Sequence, residues 1–420
     1  MIALRLLLRR FVRRGRLGVI DHTGRRFDFG AAGTGPSAAI RLHDRRLYRR
    51  LAIHPALHVG RAYVDGSLTI EEGGLSDFLD LVLINEQLGS KGRAGEIKRR
   101  LDEVARFSAV INLPGRARRN VRHHYDHPVD FYRCFLDEDL QYSCAYFAGE
   151  GVALEEAQEA KKRHIAAKLD LRAGHRVLDI GCGFGGMSLF LARNYGVHVT
   201  GITLSTEQLR IARERAAKQG LSRLVDFRLE DYRRTPGVFD RIVSVGMFEH
   251  VGRPHYRRFF SRVNALLADD GVALLHTIGR QPPPSPINVW IRQNIFPGAY
   301  LPSLSQLAPV LEKQDLWLTD FENLRLHYAT TLKEWNRRFQ LNREKVHQLD
   351  PKRHDERFCR MWEFYLQSCE AAFRHSGVAV FQLQLTKRID ALPLTRDYMF
   401  DEERRLASGE GEAEFSSRRA

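Results

Sequence analysis

The stretch that decides the fold runs from His175 to Ala192 and reads HRVLDIGCGFGGMSLFLA. Its first half is a short apolar strand that contains Asp179, and a glycine-rich turn follows before a helix begins near Met187. Glycine is needed where the backbone turns sharply and where a ligand approaches without a Cβ in the way. The start of the helix adds free N–H donors behind the turn. The stretch therefore predicts a nucleotide-type cofactor site, the alternative being a tight turn that binds no ligand.

The spacing of the glycines narrows the type of cofactor. A phosphate-binding P-loop is excluded because no Gly-Lys-Ser/Thr follows the turn. The dinucleotide fingerprint is G-x-G-x-x-G, whereas the glycines here stand at Gly181, Gly183, Gly185 and Gly186. Together with Asp179, this turn resembles the S-adenosylmethionine (SAM) turn of class I methyltransferases, which implies that these five residues bind the cofactor.

Length, charge and cysteine content set the broad class. A chain of 420 residues favours two domains and a tail over one compact domain. The net charge of +15 favours an anionic partner, either nucleic acid or an anionic membrane. Five cysteines without C-x-x-C spacing indicate a reduced, cytoplasmic chain with no structural zinc. No apolar run reaches the ~20 residues that span a bilayer, and no cleavable signal is evident.

The first residues, 1–17, carry six arginines and no acid. Leu4, Leu7, Leu8 and Phe11 share one helical face, and Arg5, Arg9, Arg13 and Arg16 share another. This pattern predicts a helix that lies on anionic lipid, with packing against its own domain as the equal alternative. We expect a basic N-terminal domain over 1–119 that contacts membrane or phospholipid and is β-rich over 18–75. Within it, 60–70 reads as a turn region, 75–88 as a helix, 89–95 as a flexible joint, 96–107 as a helix and 111–119 as a basic linker.

Three histidines crowd residues 123–127, but no partner motif with ligand spacing follows, so we predict no metal site. The aromatic run at 131–147 precedes the glycine turn and reads as a lid over cofactor or substrate. Beyond residue 150, the chain alternates strands and helices, which predicts a doubly wound, Rossmann-like α/β sheet with the ligand at the carboxyl ends of its strands. Expected strands are 175–180, 197–202, 224–229, 240–245 and 271–278; expected helices are 154–169, 187–194, 205–219, 254–268 and 354–375. The catalytic domain is expected over 120–395 and a disordered tail over 396–420.

Polar residues follow the successive strands at the edge where catalysis belongs. Thr203, Leu204, Ser205 and Gln208 follow the second strand, which lacks the acid that ordinarily holds ribose hydroxyls. Asp231 and Tyr232 follow the third strand and provide a carboxylate and a ring suited to an adenine. Glu249 follows the fourth strand, and His276 stands near the end of the fifth. Each residue alone is compatible with a satisfied polar loop, but jointly they favour a functional site.

Seven blocks of sequence together resemble the cyclopropane fatty acid synthase family of SAM-dependent methyltransferases. They are YSCAYF (142–147), VLDIGCGFGG (177–186), GITLSTEQ (201–208), VSVGMFEHVG (243–252), LLHTIG (274–279), IFPGAYLPS (295–303) and FYLQSCEAAFR (364–374). The blocks cover about residues 120–390 in the family's order. The resemblance implies a class I SAM methyltransferase fold with a smaller mixed N-terminal domain.

The resemblance also implies a reaction and its site. The family transfers a methylene group from SAM across a cis double bond of a phospholipid acyl chain, through a carbocation that bound bicarbonate deprotonates. The anion would be held by Cys144, Glu249, His276, the backbone of Ile278 and Tyr328, with Cys369 as a further site residue. Tyr142 and Ser143 join the predicted SAM-binding set. The resemblance further implies peripheral association with the inner face of the membrane and a homodimer.

Three other functions compete with this interpretation. A sibling enzyme would add a methyl group to the acyl chain and leave or shift the alkene. A nucleic-acid methyltransferase fits the charge, but no Asn/Asp-Pro-Pro-aromatic motif follows the fourth strand, so we expect no nucleic acid partner. A lipid-binding protein with an inactive methyltransferase fold conflicts with the intact glycine turn and with Glu249, His276 and Tyr328.

Overall fold

The computed structural model describes residues 1–31, 33, 35–90 and 127–408. Its contacts divide the chain into two compact units. The first unit comprises 1–109, 285–297 and 332–378, and the second comprises 110–284, 298–331 and 379–420. This differs from the linear division at residue 119, because two later segments complete the first unit. Gly60 shows why: a Cβ at this position would lie 2.8 Å from side-chain atoms of both Trp290 and Phe364.

The first unit combines a small sheet with helices. Its elements are α1 (Ile2–Phe11), β1 (Arg16–Ile20), β2 (Arg26–Gly30), β3 (Ser37–Leu42), α2 (Leu47–Ile53), α3 (Pro55–Val64), β4 (Leu68–Glu72), α4 (Leu75–Ser90), α10 (Val289–Asn294), α13 (Arg343–Leu349) and α14 (Glu356–His375). The sheet has the order β2-β1-β3-β4, with β1 parallel to β3 and the other pairs antiparallel. The expected β-rich segment followed by helices is therefore confirmed.

Helix α1 is shorter than the sequence pattern predicts. It ends at Phe11, and Val12 is already extended, so Arg13 and Arg16 are not on the helix. The amides of Arg13 and Arg14 donate instead to Asn85 Oδ1, at 2.7 and 3.0 Å. Leu4 is buried, and Arg5 stacks on Phe27 at 4.5 Å. Part of the apolar face of α1 therefore packs against the rest of the first unit, while Ile2, Leu6 and Leu7 remain exposed.

Two further local expectations were wrong, and others lie outside the described residues. Residues 60–64 are the last turn of α3 rather than part of a turn region, and 89–90 end α4 rather than opening a joint. The tail begins with a helix, α15 (Asp397–Ala407), because Met399 and Leu406 are buried on α6 (Leu154–Lys168) and its neighbours. The predicted helix over 96–107, the linker over 111–119, His123 and His124 are not among the described residues.

The second unit is built on a seven-stranded sheet. Its remaining elements are α5 (Val129–Arg133), β5 (Arg176–Ile180), α7 (Gly186–Tyr195), β6 (His198–Thr203), α8 (Thr206–Lys218), β7 (Val225–Leu229), β8 (Phe239–Val245), α9 (Tyr256–Leu266), β9 (Leu267–Arg280), α11 (Leu304–Leu311), β10 (Trp317–Asn323) and β11 (Val378–Thr386). Helix α12 (His327–Leu341) runs across the boundary at residue 331. The strand order is β10-β11-β9-β8-β5-β6-β7. The predicted doubly wound α/β fold is confirmed.

The order of the strands fixes where a ligand can enter. Strands β5, β6 and β7 follow one another in space, and the chain then returns so that β8 pairs on the other side of β5. All of these neighbours are parallel, as is β9 beside β8. The crevice at such a switch point lies outside the carboxyl ends of the strands. The strand β5 runs into the glycine turn there. In the part of the chain that is described, no helix is long and apolar enough to cross a membrane.

Candidate active site

A cleft of about 1300 Å³, counting the solvent at its mouth, opens at the carboxyl ends of β5, β6 and β8. Most of the predicted cofactor-binding residues line it: Tyr142, Ser143, Asp179, Gly181, Gly183, Gly186, Thr203, Leu204, Gln208, Asp231 and Tyr232. Gly185 and Ser205 do not line it. The cleft also includes residues outside the predicted set, among them Glu230, Arg233, Met247, His250 and His255.

The glycine turn keeps the floor of the cleft open. Gly181 and Gly183 have φ values of +86° and +55°, which side chains rarely adopt. A Cβ on Gly183 would meet no atom within 4 Å, so the space above its backbone is free for a ligand. Gly185 has a different role, because it caps α7 at φ +85° and its Cβ would lie 2.6 Å from Phe227 Cζ. Gly185 therefore has a packing role, and its contact with the cofactor stays a prediction.

Asp179 is a buried acid at the end of β5. Its Oδ2 accepts a hydrogen bond of 2.7 Å from Ser188 on α7, which ties the strand to the helix behind the turn. Burial raises the pKa of Asp179 to about 6. This carboxyl group therefore fixes the turn and also faces the cleft.

The segment after β6 is ordered by its own side chains. Thr203 Oγ1 donates to Gln208 Oε1 at 2.7 Å, which leaves the Gln208 amide nitrogen as a donor toward a ligand. Ser205 caps helix α8 by accepting from the Gln208 backbone amide at 3.3 Å. The hydroxyl of Ser205 thus holds the helix, and its contact with the cofactor stays a prediction.

The residues after β7 provide acids and a ring. Asp231 forms an ion pair with Arg233, whose Nε lies 2.8 Å from Oδ1, and the ring of Tyr232 packs edge-on against Phe259. The neighbouring Glu230 has a buried Oε1 with no hydrogen-bond partner among the described residues. An unpaired buried acceptor is costly, so a ligand with hydroxyl donors fits here. The sequence shows that a carboxylate, Glu230, follows β7. It does not show that one oxygen of this carboxylate is buried without a hydrogen-bond partner, and that is the feature that suggests a ligand contact.

Lys161 on α6 is a residue that the sequence analysis missed. It is fully buried, and its Nζ lies 2.9 Å from Ser143 Oγ and also contacts Gln141 Oε1. An ammonium group only donates, so Ser143 accepts from it and keeps its hydroxyl proton for an acceptor in the cleft. Its position seven residues after Leu154, on the same apolar face of the helix, is the sequence signal that marks it as buried.

Three of the predicted catalytic residues meet at the ends of β8 and β9. The amide of Gly246 donates to His276 O at 2.9 Å, and the amide of Ile278 donates to Glu249 Oε1 at 2.5 Å. The other oxygen of Glu249, Oε2, is buried and lacks a hydrogen-bond partner within the described ranges. Burial raises the pKa of Glu249 to about 7. The Ile278 amide is thus bonded to Glu249, and the predicted role of the Ile278 backbone in holding an anion stays a prediction.

His276 is buried, with its Nδ1 lying 3.2 Å from Gln382 Nε2 on β11. Burial is the main cause that lowers the pKa of His276 well below its usual value, and the charges of Lys161 and Lys168 add to it. The imidazole is therefore neutral at physiological pH.

Cys144 and Tyr328 are carried by two segments that pack together. The Ala145 amide donates to Thr331 Oγ1 at 3.1 Å, and Tyr146 stacks on His327 with ring centroids 4.8 Å apart. These contacts hold the 142–147 segment against the first turns of α12, which carries the buried Tyr328. Burial raises the pKa of the Cys144 thiol, so it is a neutral group rather than a thiolate.

Cys369 is not among the residues gathered at these strand ends. It lies on α14 in the first unit and is half-buried. Burial raises the pKa of its thiol to about 12, which makes it a poor nucleophile. Its role as a site residue stays a prediction. Among the residues that the structure describes, no group of three His, Cys, Asp or Glu side chains is arranged to hold a metal ion.

The parallel sheet, the glycine turn at the switch point and the polar cleft beside it define a Rossmann-like methyltransferase of class I. The mycolic acid cyclopropane synthetase family matches residues 114–383, and the chain belongs to this family. The cyclopropane-fatty-acyl-phospholipid synthase of Escherichia coli K12 is 36% identical over 362 residues, which is 85% of this chain and 90% of that protein. A probable fatty acid methyltransferase of Pseudomonas putida is 34% identical over 90% of this chain and 94% of its own length.

Solved structures agree with this assignment. The cyclopropane synthase MmaA2 from Mycobacterium tuberculosis is 33% identical, has a TM-score of 0.60 and covers 64% of this chain and 97% of its own. The mycolic acid cyclopropane synthase CmaA1, solved with SAH and CTAB, is 34% identical with the same TM-score of 0.60 and covers 64% of this chain and 97% of its own. The open backbone at Gly183 and the unpaired Glu230 Oε1 fit a nucleoside cofactor. The protein is a SAM-dependent methyltransferase, and the predicted methyl donor is confirmed.

Proposed function

We propose that this enzyme modifies a cis double bond in a phospholipid acyl chain, transferring a methylene group from SAM to form a cyclopropane ring. The observation that carries the proposal is Glu249, a buried acid at the end of β8 with one oxygen bonded to the Ile278 amide and the other unpaired. The names of the E. coli and P. putida relatives, which refer to fatty acyl substrates, support the choice of substrate.

The residues around Glu249 suit a reaction that passes through a positive charge on carbon. When bound, SAM supplies an electrophilic methyl group, and the alkene carbon left without its π electrons becomes a carbocation. Loss of one proton from the new methyl group then allows the ring to close. Water must be kept away, because it would add to the cation. Glu249, His276 and Cys144 are all buried, as a site of that kind requires.

The same residues fit bicarbonate, which is part of the proposal. When bound, bicarbonate supplies an oxygen base for the proton that leaves the new methyl group. Glu249 Oε2 is the unpaired atom that suits such an anion, because bicarbonate can donate its own proton to this oxygen and keep another oxygen free to act as the base. Neutral His276, Cys144 and Tyr328 complete the proposed set. The Ile278 amide acts through Glu249, whose orientation it fixes.

The sibling reaction is the second candidate. The tuberculostearic acid methyltransferase of Mycobacterium tuberculosis is 34% identical over 84% of this chain and 83% of its own length. Its name refers to a methyl-branched acid, so family membership does not separate the two products. Both gain one CH₂ and therefore have the same mass.

Purified protein incubated with SAM and liposomes of cis-unsaturated phospholipid tests the proposal. NMR of the extracted lipid should show the shielded ring protons of a cyclopropane. A methyl branch would replace the proposal with the sibling activity. Bound SAM without any new lipid signal would overturn both. Activity that is independent of bicarbonate in degassed, carbonate-free buffer would remove the anion from the mechanism.

The proposal extends to where the enzyme works. Helices α1 and α2 pack together and present exposed Ile2, Leu6 and Ile53 among exposed arginines. Arginines near an anionic bilayer contribute about 1 kcal/mol each, and the apolar side chains can enter the interface. We therefore include peripheral binding to the inner face of the membrane. A homodimer would offer two such surfaces, and the mass of the protein in solution tests that state.

A further inference from the structure

We propose that Gln382 is a positioning residue that fixes His276 as the neutral tautomer with its proton on Nε2, and that Lys168 sets the orientation of Gln382. The inference deepens the proposed function, on which its catalytic consequence rests. The tautomer itself is a property of the folded chain, and it can be tested whether or not the lipid is modified.

The first step is the contact between Lys168 and Gln382. Lys168, the last residue of α6, is almost fully buried, and its Nζ lies 2.7 Å from Gln382 Oε1. An ammonium group has three donors and no acceptor. Only the amide oxygen can therefore face it, since the flipped amide would bring two donors together. The buried cation thus fixes the orientation of the Gln382 amide, with Oε1 facing Lys168.

The second step is the contact between Gln382 and His276. With its oxygen toward Lys168, the amide presents Nε2 to His276 Nδ1 at a distance of 3.2 Å. An amide nitrogen only donates, so Nδ1 must accept and carries no proton. A neutral imidazole with an unprotonated Nδ1 holds its proton on Nε2. Burial of the ring beside Lys161 and Lys168 disfavours the doubly protonated form.

Lys168 is itself held in place by acidic side chains. Its Nζ contacts Glu322 Oε2 and lies 3.7 Å from Asp320 Oδ1. Glu322 also contacts His164 Nε2 at 2.6 Å, and Glu403 on α15 contacts the other nitrogen of that ring at 2.6 Å. Desolvation opposes charge on Glu322, but His164 and Lys168 outweigh it and lower its pKa to about 2. These acidic side chains hold the Lys168 ammonium group against Gln382 Oε1, so the amide stays oriented.

The consequence concerns the role of His276 in the proposed reaction. When Nδ1 accepts a hydrogen bond from Gln382, the neutral imidazole can donate a hydrogen bond through Nε2. Such a group can hold an anion, and it cannot take a proton from the methylated chain. The structure thereby assigns His276 to binding and leaves proton removal to the anion.

The experiment labels the protein with ¹⁵N-histidine and reads the protonation of His276 from long-range ¹H–¹⁵N correlations, assigned by comparison with a His276→Gln variant. The wild type should show an unprotonated Nδ1 and a protonated Nε2. In Gln382→Glu, a carboxylate faces the ring, so Nδ1 should become protonated. Turnover with SAM and phospholipid should fall at least 10-fold, with the dissociation constant of SAM unchanged.

Gln384→Glu is the matched control. Gln384 lies on the same strand and is equally buried, but its Nε2 donates to Lys168 O and to Tyr398 Oη. This variant should keep the wild-type His276 signals, because its contacts do not reach the ring. Gln382→Met is a second variant that introduces no charge. It removes the donor to Nδ1 and should yield a mixture of the two tautomers.

A protonated Nδ1 in the wild type would overturn the proposal, whatever the activity. Wild-type turnover in Gln382→Glu despite a changed tautomer would overturn the assignment of His276 to anion binding. If the wild type shows the expected tautomer and forms no lipid product, then the proposed function fails and the positioning role stands.

Discussion

Glu249 is a carboxyl group with one oxygen satisfied and one oxygen unpaired. Glu249→Ala removes the carboxyl group that we propose to hold the anion. Groups that stabilise charge in a buried site are worth about 10²–10³ in rate, so turnover should fall by that factor. SAM should bind with unchanged affinity, which calorimetry can measure, because Glu249 does not line the cofactor cleft. Full turnover in the variant would remove Glu249 from the mechanism.

The pKa of Glu249 also makes a prediction about stability. Burial raises the pKa from 4.5 to about 7, so the native state holds this proton more tightly than the unfolded state. Raising the pH from 5 to 8 should therefore lower the free energy of unfolding by about 2.5 kcal/mol through this group alone. Glu249→Gln stays neutral and avoids that loss.

Urea unfolding of the wild type and Glu249→Gln at pH 5 and at pH 8 measures this effect. Other titrating groups are common to both proteins and cancel in the difference. The free energy of unfolding of Glu249→Gln should increase relative to that of the wild type as the pH rises. A difference that does not change with pH would mean that Glu249 titrates normally in the native protein.

Single residues differ in how well the sequence predicts their roles. Glu249 and His276 could be found because both stand near the ends of apolar strands, where parallel sheets carry their chemistry. The partner of the Ile278 amide could not be found, since it depends on a side chain 29 positions away. The capping roles of Gly185 and Ser205 could not be told from ligand contacts, because a helix cap and a ligand contact need the same residue types.

At the scale of elements, α1 and its exposed apolar side chains make the membrane proposal testable. The double variant Ile2→Ser/Leu6→Ser should sediment less with anionic liposomes than the wild type, because both side chains are exposed and can enter the lipid interface. Removing all of residues 1–16 would be a poor test, since Leu4 is buried and Arg16 begins a strand.

Leu341→Ser/Ile389→Ser is the matched control, because both side chains are similarly exposed and neither belongs to α1: Leu341 ends α12 and Ile389 lies in the turn after β11. It should sediment like the wild type. Equal losses in the two double variants would indicate a general effect of surface hydrophobicity. An unchanged α1 variant at low salt would exclude this helix as the membrane contact.

The strands of the large sheet were predicted within a few residues, and α1 was not. Buried parallel strands read as continuous apolar runs whose identity needs no knowledge of their neighbours. The end of α1 is set instead by Asn85, a residue on α4 that captures the amides of Arg13 and Arg14. Local periodicity does not contain that contact. The tail helix α15 was missed for the same reason, since its burial on α6 is tertiary.

At the scale of the whole molecule, the first unit depends on segments distant in sequence. Gly60→Ala would bring a methyl group within 2.8 Å of Trp290 and Phe364. Overpacking of this kind costs about 1–3 kcal/mol. Gly89→Ala is the matched control, also in a helix, where a Cβ meets nothing within 4 Å. The Gly89→Ala variant should instead be more stable than the wild type, with a free energy of unfolding higher by about 0.5–1 kcal/mol. Urea unfolding measures both, and a stabilised Gly60→Ala would contradict the packing.

The sequence does not show which segments of the chain make up each of the two units. Helices α10 and α14 lie after the glycine turn, so a linear division places them in the catalytic domain. Their packing partner, Gly60, lies more than 200 residues earlier. The sequence of neither segment identifies that partner, because apolar side chains predict burial but do not specify the residue against which they pack.

The interleaved first unit has a consequence for the order of events on the ribosome. Domains ordinarily fold as they emerge, with the N-terminal one first. Here the N-terminal segment must wait for Trp290 and Phe364, which at 5–20 residues per second means roughly 15–60 s between residue 60 and residue 364. During that interval its basic and apolar surface is exposed without its final core. Nascent chains would therefore be vulnerable to proteases and in need of chaperones, and a gene fragment ending at residue 119 would encode an unfinished fold.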